Sequence, residues 1–138
     1  MSRCRKLEWL RFNKWEDVIN DPKERYQFPC IYVVADKNRT PLYIGEATQK
    51  VRERNGKWWS GGLTARYYHD WTVLDACMDG TGRSIYIAKV KSRKDAEQIE
   101  AKLIYENKPR YNQNKKRTRP DFQLCLKHTG EFPKFEGS

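Results

Sequence analysis

Glu100 stands where a carboxylate is costly. Between Lys94 and Asn107 the apolar residues Ala96, Ile99, Leu103 and Ile104 recur at helical spacing and mark the buried stripe of an amphipathic helix. At ~100° per residue, Glu100 falls inside that stripe, beside Leu103 and Ile104. Lys94, Asp95, Gln98, Lys102 and Glu106 take the opposite face. A buried carboxylate needs a cation, a hydrogen-bond donor or a chemical task, so Glu100 is either a structural partner of an Arg or Lys or a functional acid.

Two tyrosines form the next constellation. CIYVVA at 30–35 and LYIG at 42–45 are β-rich runs around the polar turn DKNRTP, and read as a hairpin. Alternation puts Ile31 and Val33 on one face and Cys30, Tyr32 and Val34 on the other. If Ile31, Val33, Leu42 and Ile44 face the core, Tyr32 and Tyr43 project together from the opposite face. Gly45 ends the second strand and lets a backbone or ligand approach closely. Strand propensity alone also accounts for both tyrosines.

The remaining elements must position these groups. Leu7, Leu10, Trp15, Val18 and Ile19 read as one or two short helices in an N-terminal extension, residues 1–28, stopped by Asp21-Pro22. Thr48 is a plausible helix N-cap, with Val51 on the inner face and Arg52 and Arg54 following. NGKWWSGG at 55–62 reads as an exposed loop, TARYYHDW at 64–71 as a short helix, and SIYIAKV at 84–90 as a third strand. The helix of Glu100 follows and stops near Pro109. Residues 113–138 are a basic tail that adds a strand at DFQLCL, 121–126.

Bulk properties exclude several classes. The chain has 138 residues, enough for one domain with a modest core. Charged residues are 33%, but aromatics reach 13%, which argues against disorder. No apolar run approaches ~20 residues, so no membrane-spanning helix is expected. The basic N-terminus lacks a sustained apolar stretch, so export by a signal peptide is not expected. Cys4, Cys30, Cys77 and Cys125 form no CxxC element, and His69 and His128 complete no zinc spacing. The cysteines read as free thiols in a reducing cytoplasm. The formal net charge of +10 attracts a polyanion, of which nucleic acid is the commonest.

These pieces together carry a resemblance. Cys30-Ile31-Tyr32 followed by Tyr43-Ile44-Gly45 resembles the paired signature of the GIY-YIG nucleases. YIGEATQKVRER at 43–54 resembles that family's YIG-x-A…L-x-x-R segment. IEAKLIYENKPRYN at 99–112 resembles its LE-x-x-LI…P-x-Y-N block. The likeness covers residues 29–112. It implies an α/β (α+β) fold with a small three-stranded antiparallel sheet flanked by helices, and metal-dependent hydrolysis of DNA phosphodiesters, with double-stranded DNA as partner.

By position, the resemblance makes Tyr32 and Tyr43 the active-site tyrosines, Arg54 the phosphate-binding arginine, Glu100 the metal ligand and Asn112 the residue that orders the site. Arg54 is preferred to Arg52 because it lies three residues after Val51, although its spacing from Tyr43 is then one residue longer than usual. Cys30 replaces the first glycine of the signature. Glu46 stands where the family often has a basic or polar residue; it could repel the phosphate, bind a second cation or pair with Arg54.

A lone carboxylate with several waters suits Mg²⁺ (or Mn²⁺). Tyr32, with Tyr43 beside it, is the expected base, and His69 is its rival. Lys50, Arg52, Lys57 and Arg66 around the first helix, and Lys108, Arg110, Lys115, Lys116, Arg117 and Arg119 after the Glu100 helix, are the expected phosphate contacts. Trp58 and Trp59 either stack on bases or form a hydrophobic lid. Two other classes compete: a catalytically silent nucleic-acid-binding module on the same fold, and a basic adaptor that binds protein or RNA. Within the enzyme reading, a stand-alone enzyme of limited sequence preference and a homodimer are both open.

Overall fold

The computed structural model describes residues 4–14, 17–18, 29–47, 52–54, 57–59, 82–112 and 119–136. Its strands are β1 (Arg5–Phe12), β2 (Cys30–Ala35), β3 (Pro41–Ala47), β4 (Arg52–Arg54), β5 (Lys57–Trp59), β6 (Ser84–Lys89) and β7 (Leu126–Gly130), with helix α1 (Arg93–Asn107) between the last two. A five-stranded sheet runs in the order β3-β2-β6-β1-β7, and β4 pairs with β5 in a separate two-stranded sheet.

The three strands expected from the sequence form at their expected positions, and β3, β2 and β6 pair antiparallel as anticipated. The sheet is nonetheless larger and mixed. β1 adds antiparallel to β6, and β7 adds parallel to β1. Residues 5–12 are therefore a strand and not part of a helical extension. Leu7 and Trp9 are buried, while Lys6 and Glu8 are exposed. That period of two outcompetes the helical spacing of Leu7 and Leu10 once β6 offers an edge to pair with. The last strand begins at Leu126, after most of the DFQLCL run, because its partner Arg5 fixes the register there. Arg52–Arg54 is likewise a strand where a helix following Thr48 was expected, and Lys57–Trp59 is its partner and not an open loop.

The sheet is buried on both faces over its central strands, which is why CIYVVA is a continuous apolar run with every residue inaccessible. One face carries Leu7, Trp9, Ile31, Val33 and Ile44 and is covered by Ala96, Ile99, Leu103 and Ile104 of α1. These four are the stripe read from the sequence. The other face carries Cys30, Tyr32, Val34, Ala47, Ile85 and Ile87, with Val18 packed against them.

The ends of α1 are set locally. The Ser92 hydroxyl accepts from Asp95 N at 3.1 Å, satisfying one of the helix's free donors. Lys108 adopts a left-handed conformation with its N–H on Ile104 O, and Pro109 follows.

The parallel pairing of β1 and β7 brings Cys4 and Cys125 together as a disulfide. This corrects the expectation that all the cysteines are free. The two lie 121 residues apart, and only the register of the outer strands makes them neighbours. Cys30 is free and buried, and Cys77 lies outside the described residues. Trp9 Nε1 donates to His128 Nδ1 at 3.0 Å, and the rings of Phe132 and Phe135 pack on His128. The C-terminal segment is thus tied to the sheet by a disulfide, a strand ladder and an aromatic cluster.

Candidate active site

β2 and β3 lay the two tyrosines side by side. Tyr32 pairs with Gly45 and Tyr43 with Val34, so both rings leave the sheet on the face opposite α1. Their centroids are 6.0 Å apart. The Tyr32 ring lies directly over Gly45. A Cβ at that position would stand 2.5 Å from Tyr32 Oη and closer still to its Cζ. Gly45 is therefore a cradle for the phenol, which needs no left-handed backbone, only the missing side chain. Tyr32 is 1% exposed, whereas Tyr43 is half-buried.

Glu100 arrives from the other side. It is a buried residue of α1, 9% exposed, and the helix packs chiefly on β3, with further contact to β2. Since β3 is the edge of the sheet, the tyrosines and Glu100 flank the same strand. Glu46 of β3 lies on the α1 side, in step with Leu42 and Ile44. The Oε2 atoms of Glu46 and Glu100 are buried and make no hydrogen bond within the protein, although both side chains have other interactions.

Among the described residues no three of His, Cys, Asp and Glu converge as a metal cluster. One or two carboxylates completed by water are nonetheless a donor set that fits Mg²⁺, which keeps much of its hydration. Glu46 also acts on Cys30. Burial, and then the Glu46 charge, push the Cys30 thiol up to about 12, so it is no nucleophile at neutral pH.

Asn112 fixes the edge strand. Its Oδ1 accepts from Ile44 N at 2.9 Å and its Nδ2 donates to Ile44 O at 2.8 Å. Just before it, Tyr111 N donates to Leu42 O at 2.9 Å. The segment after α1 thus acts as a short substitute strand that occupies the open side of β3 between Tyr43 and Gly45. Sequence position alone marked Asn112; its double bond to Ile44 needed the structure.

The other site candidates lie on other elements or outside the described residues. Arg52 and Arg54 are on β4, where Arg54 pairs with Lys57 of β5. Lys108, Arg110 and Arg119 are exposed, and the Arg110 guanidinium lies 5.7 Å from the centre of the Tyr111 ring. Lys50, Arg66, His69, Lys115, Lys116 and Arg117 lie outside the described residues. The sequence reading missed Lys6, Lys89 and Lys127, which occupy the tyrosine face of the sheet. The alternation of Lys6 and Glu8 against Leu7 and Trp9 was the signal that could have found the first of them.

No helix among the described residues is long and apolar enough to cross a membrane. The family model described as the GIY-YIG catalytic domain matches residues 28–114. No curated protein and no solved structure matches the chain.

Proposed function

Because the chain belongs to the GIY-YIG nuclease family, we propose that it is a divalent-metal-dependent endonuclease that hydrolyses phosphodiester bonds of double-stranded DNA. The observation that carries this reading is the arrangement around β3. Two phenols lie side by side on one face, that of Tyr32 over Gly45, and the buried carboxylate of Glu100 comes from the helix under the same strand.

The residues divide the work. Tyr32, as its phenolate, takes the proton of the attacking water, and Tyr43 holds the hydrogen-bond network beside it. Arg54 grips two non-bridging oxygens of the phosphate with its planar fork. As water adds to phosphorus, the bond to the 3′ oxygen breaks, and that oxygen leaves as an alkoxide that takes a proton from solvent, giving a 3′ hydroxyl and a 5′ phosphate. Glu100, with Glu46 as a further carboxylate on that side of β3, would hold the Mg²⁺ or Mn²⁺. When bound, such an ion supplies positive charge to the phosphoryl oxygens and the leaving oxygen. Asn112 touches no substrate in this scheme; it holds β3 in place, and with it Tyr43 and Gly45.

Relaxation of supercoiled plasmid tests the proposal. The wild-type chain nicks plasmid only with Mg²⁺ or Mn²⁺, and Glu100→Gln lowers the rate by at least ~100-fold, the order expected when a main electrostatic contributor is lost. Tyr32→Phe has the same direction. Full nicking by Glu100→Gln, or equal nicking in EDTA, refutes the metal-dependent reading. Binding of plasmid without nicking under every metal tried leaves the silent binding module as the better description.

A further inference from the structure

We propose that the outer part of the sheet beside Tyr32, built by β6, β1 and β7, carries the sugar–phosphate backbone of the substrate DNA away from the cleavage site. The inference rests on the DNA reading above and adds a surface to it. β1 and β7 lie outside residues 28–114 while β6 lies within them, so Lys6 and Lys127 are the chain's own additions to a surface that begins in the family domain.

The strand register defines the surface. Tyr32 pairs with Ile87, and Ile87 with Leu10, so these three share one transverse row on the tyrosine face. Two residues along, Cys30 pairs with Lys89. At ~4.8 Å between strands and ~6.7 Å per two residues, the Lys89 backbone is roughly 8 Å from that of Tyr32. The β1–β6 ladder ends at Trp9–Ala88; beyond it Lys6 and Lys91 line one groove, and Lys127 is the partner of Lys6 on β7. Lys6 is thus paired with Lys127 across the ladder and shares a groove with Lys91, a cluster of three cations.

Lys6, Lys89 and Lys91 line a groove of about 750 Å³ floored by Leu10 and Ile87. Glu8 is its one acidic lining residue among those described. Lys6, Lys89, Lys91 and Lys127 are all exposed.

Like charges paired on neighbouring strands repel, so the Lys6–Lys127 pair costs stability that a covering anion offsets. A polyanion already held at the cleavage site brings its next phosphates to these neighbouring strands without a second binding event. The groove combines a cationic rim with an apolar floor, which suits a backbone whose phosphates alternate with sugars. An acidic protein segment would match the lysines equally, but nothing ties it to the tyrosines.

The experiment compares the wild-type chain with the triple variant Lys6→Gln/Lys91→Gln/Lys127→Gln. A labelled duplex is titrated in EDTA at several salt concentrations, and plasmid nicking is followed with Mg²⁺. The slope of log affinity against log salt should become shallower by about two to three, at ~0.9 for each phosphate the variant leaves unneutralised. KM should rise with kcat unchanged, and the corresponding triple arginine variant should keep the wild-type slope. An unchanged slope in the glutamine variant overturns the proposal while the DNA reading stands. An equally shallow slope in the arginine variant, with unchanged thermal melting, also overturns it. Failure of the wild-type chain to bind duplex at low salt overturns the DNA reading, and this inference with it.

Discussion

Asn112→Ala should weaken the fold and the site together. The amide of Asn112 makes both backbone hydrogen bonds of Ile44 on the open side of β3, and the residue is 1% exposed. Truncation to alanine orphans one N–H and one C=O where water has little access. At ~1–3 kcal/mol for each unsatisfied buried group, the sum is about 2–6 kcal/mol, and partial entry of water brings the expectation to about 2–4 kcal/mol. Urea unfolding at pH 7 reads this directly, as a midpoint lowered by about 1–2 M for a typical dependence on denaturant.

Asn112→Asp sharpens the test. Aspartate can accept from Ile44 N but sets a second lone pair against Ile44 O and buries a charge, so at pH 7 it should be worse than alanine. Burial raises the folded-state pKa of such an acid above its unfolded value of about 3.9. The folded state then binds more protons than the unfolded one in that interval, and stability is recovered as pH falls through the folded pKa. The protonated acid donates to Ile44 O as the amide did. An alanine variant within ~0.5 kcal/mol of wild type, or an aspartate variant whose deficit is flat from about pH 4 to 8, would show that Asn112 does not hold β3.

Gly45→Ala should push the Tyr32 ring out of its cradle; we expect a stability loss of about 1–3 kcal/mol and nicking reduced to the level of Tyr32→Phe, both checked on one preparation by denaturation and plasmid assay. His128 should make stability depend on pH. Burial, and then Lys102, hold its imidazole below the ordinary value, so on acidification the unfolded chain protonates first and stability falls below about pH 6.5. His128→Asn keeps an acceptor for Trp9 Nε1 without titrating, and its unfolding midpoint should lose that part of the pH dependence. Reducing the Cys4–Cys125 disulfide should cost about 2–5 kcal/mol, because it closes nearly the whole chain in the unfolded state; Cys4→Ser should then be insensitive to dithiothreitol in the same unfolding assay.

Short-range patterns in the sequence carried the middle of this protein. The stripe of Ala96, Ile99, Leu103 and Ile104 defines α1 because helix periodicity is local, and the same stripe sets Glu100 apart without reference to any other part of the chain. The β2–β3 hairpin was legible for the same reason: neighbouring runs of alternating residues around a polar turn leave few other pairings, and Tyr32 and Tyr43 fall on one face by parity alone.

What lay beyond the sequence is whatever depends on partners far along the chain. Residues 5–12 carry both a helical and a strand pattern, and only the edge of β6, more than seventy residues away, selects the strand. The parallel match of β1 with β7 then brings Cys4 to Cys125, and Trp9 to His128. The same long-range register pairs Lys6 with Lys127 beside the groove that Lys6 shares with Lys91, a cluster that no stretch of sequence displays. The clamp of Asn112 on Ile44 is the clearest case. A motif can mark the residue, but a hydrogen bond across 68 residues exists only once the sheet has an open edge for an amide to fill.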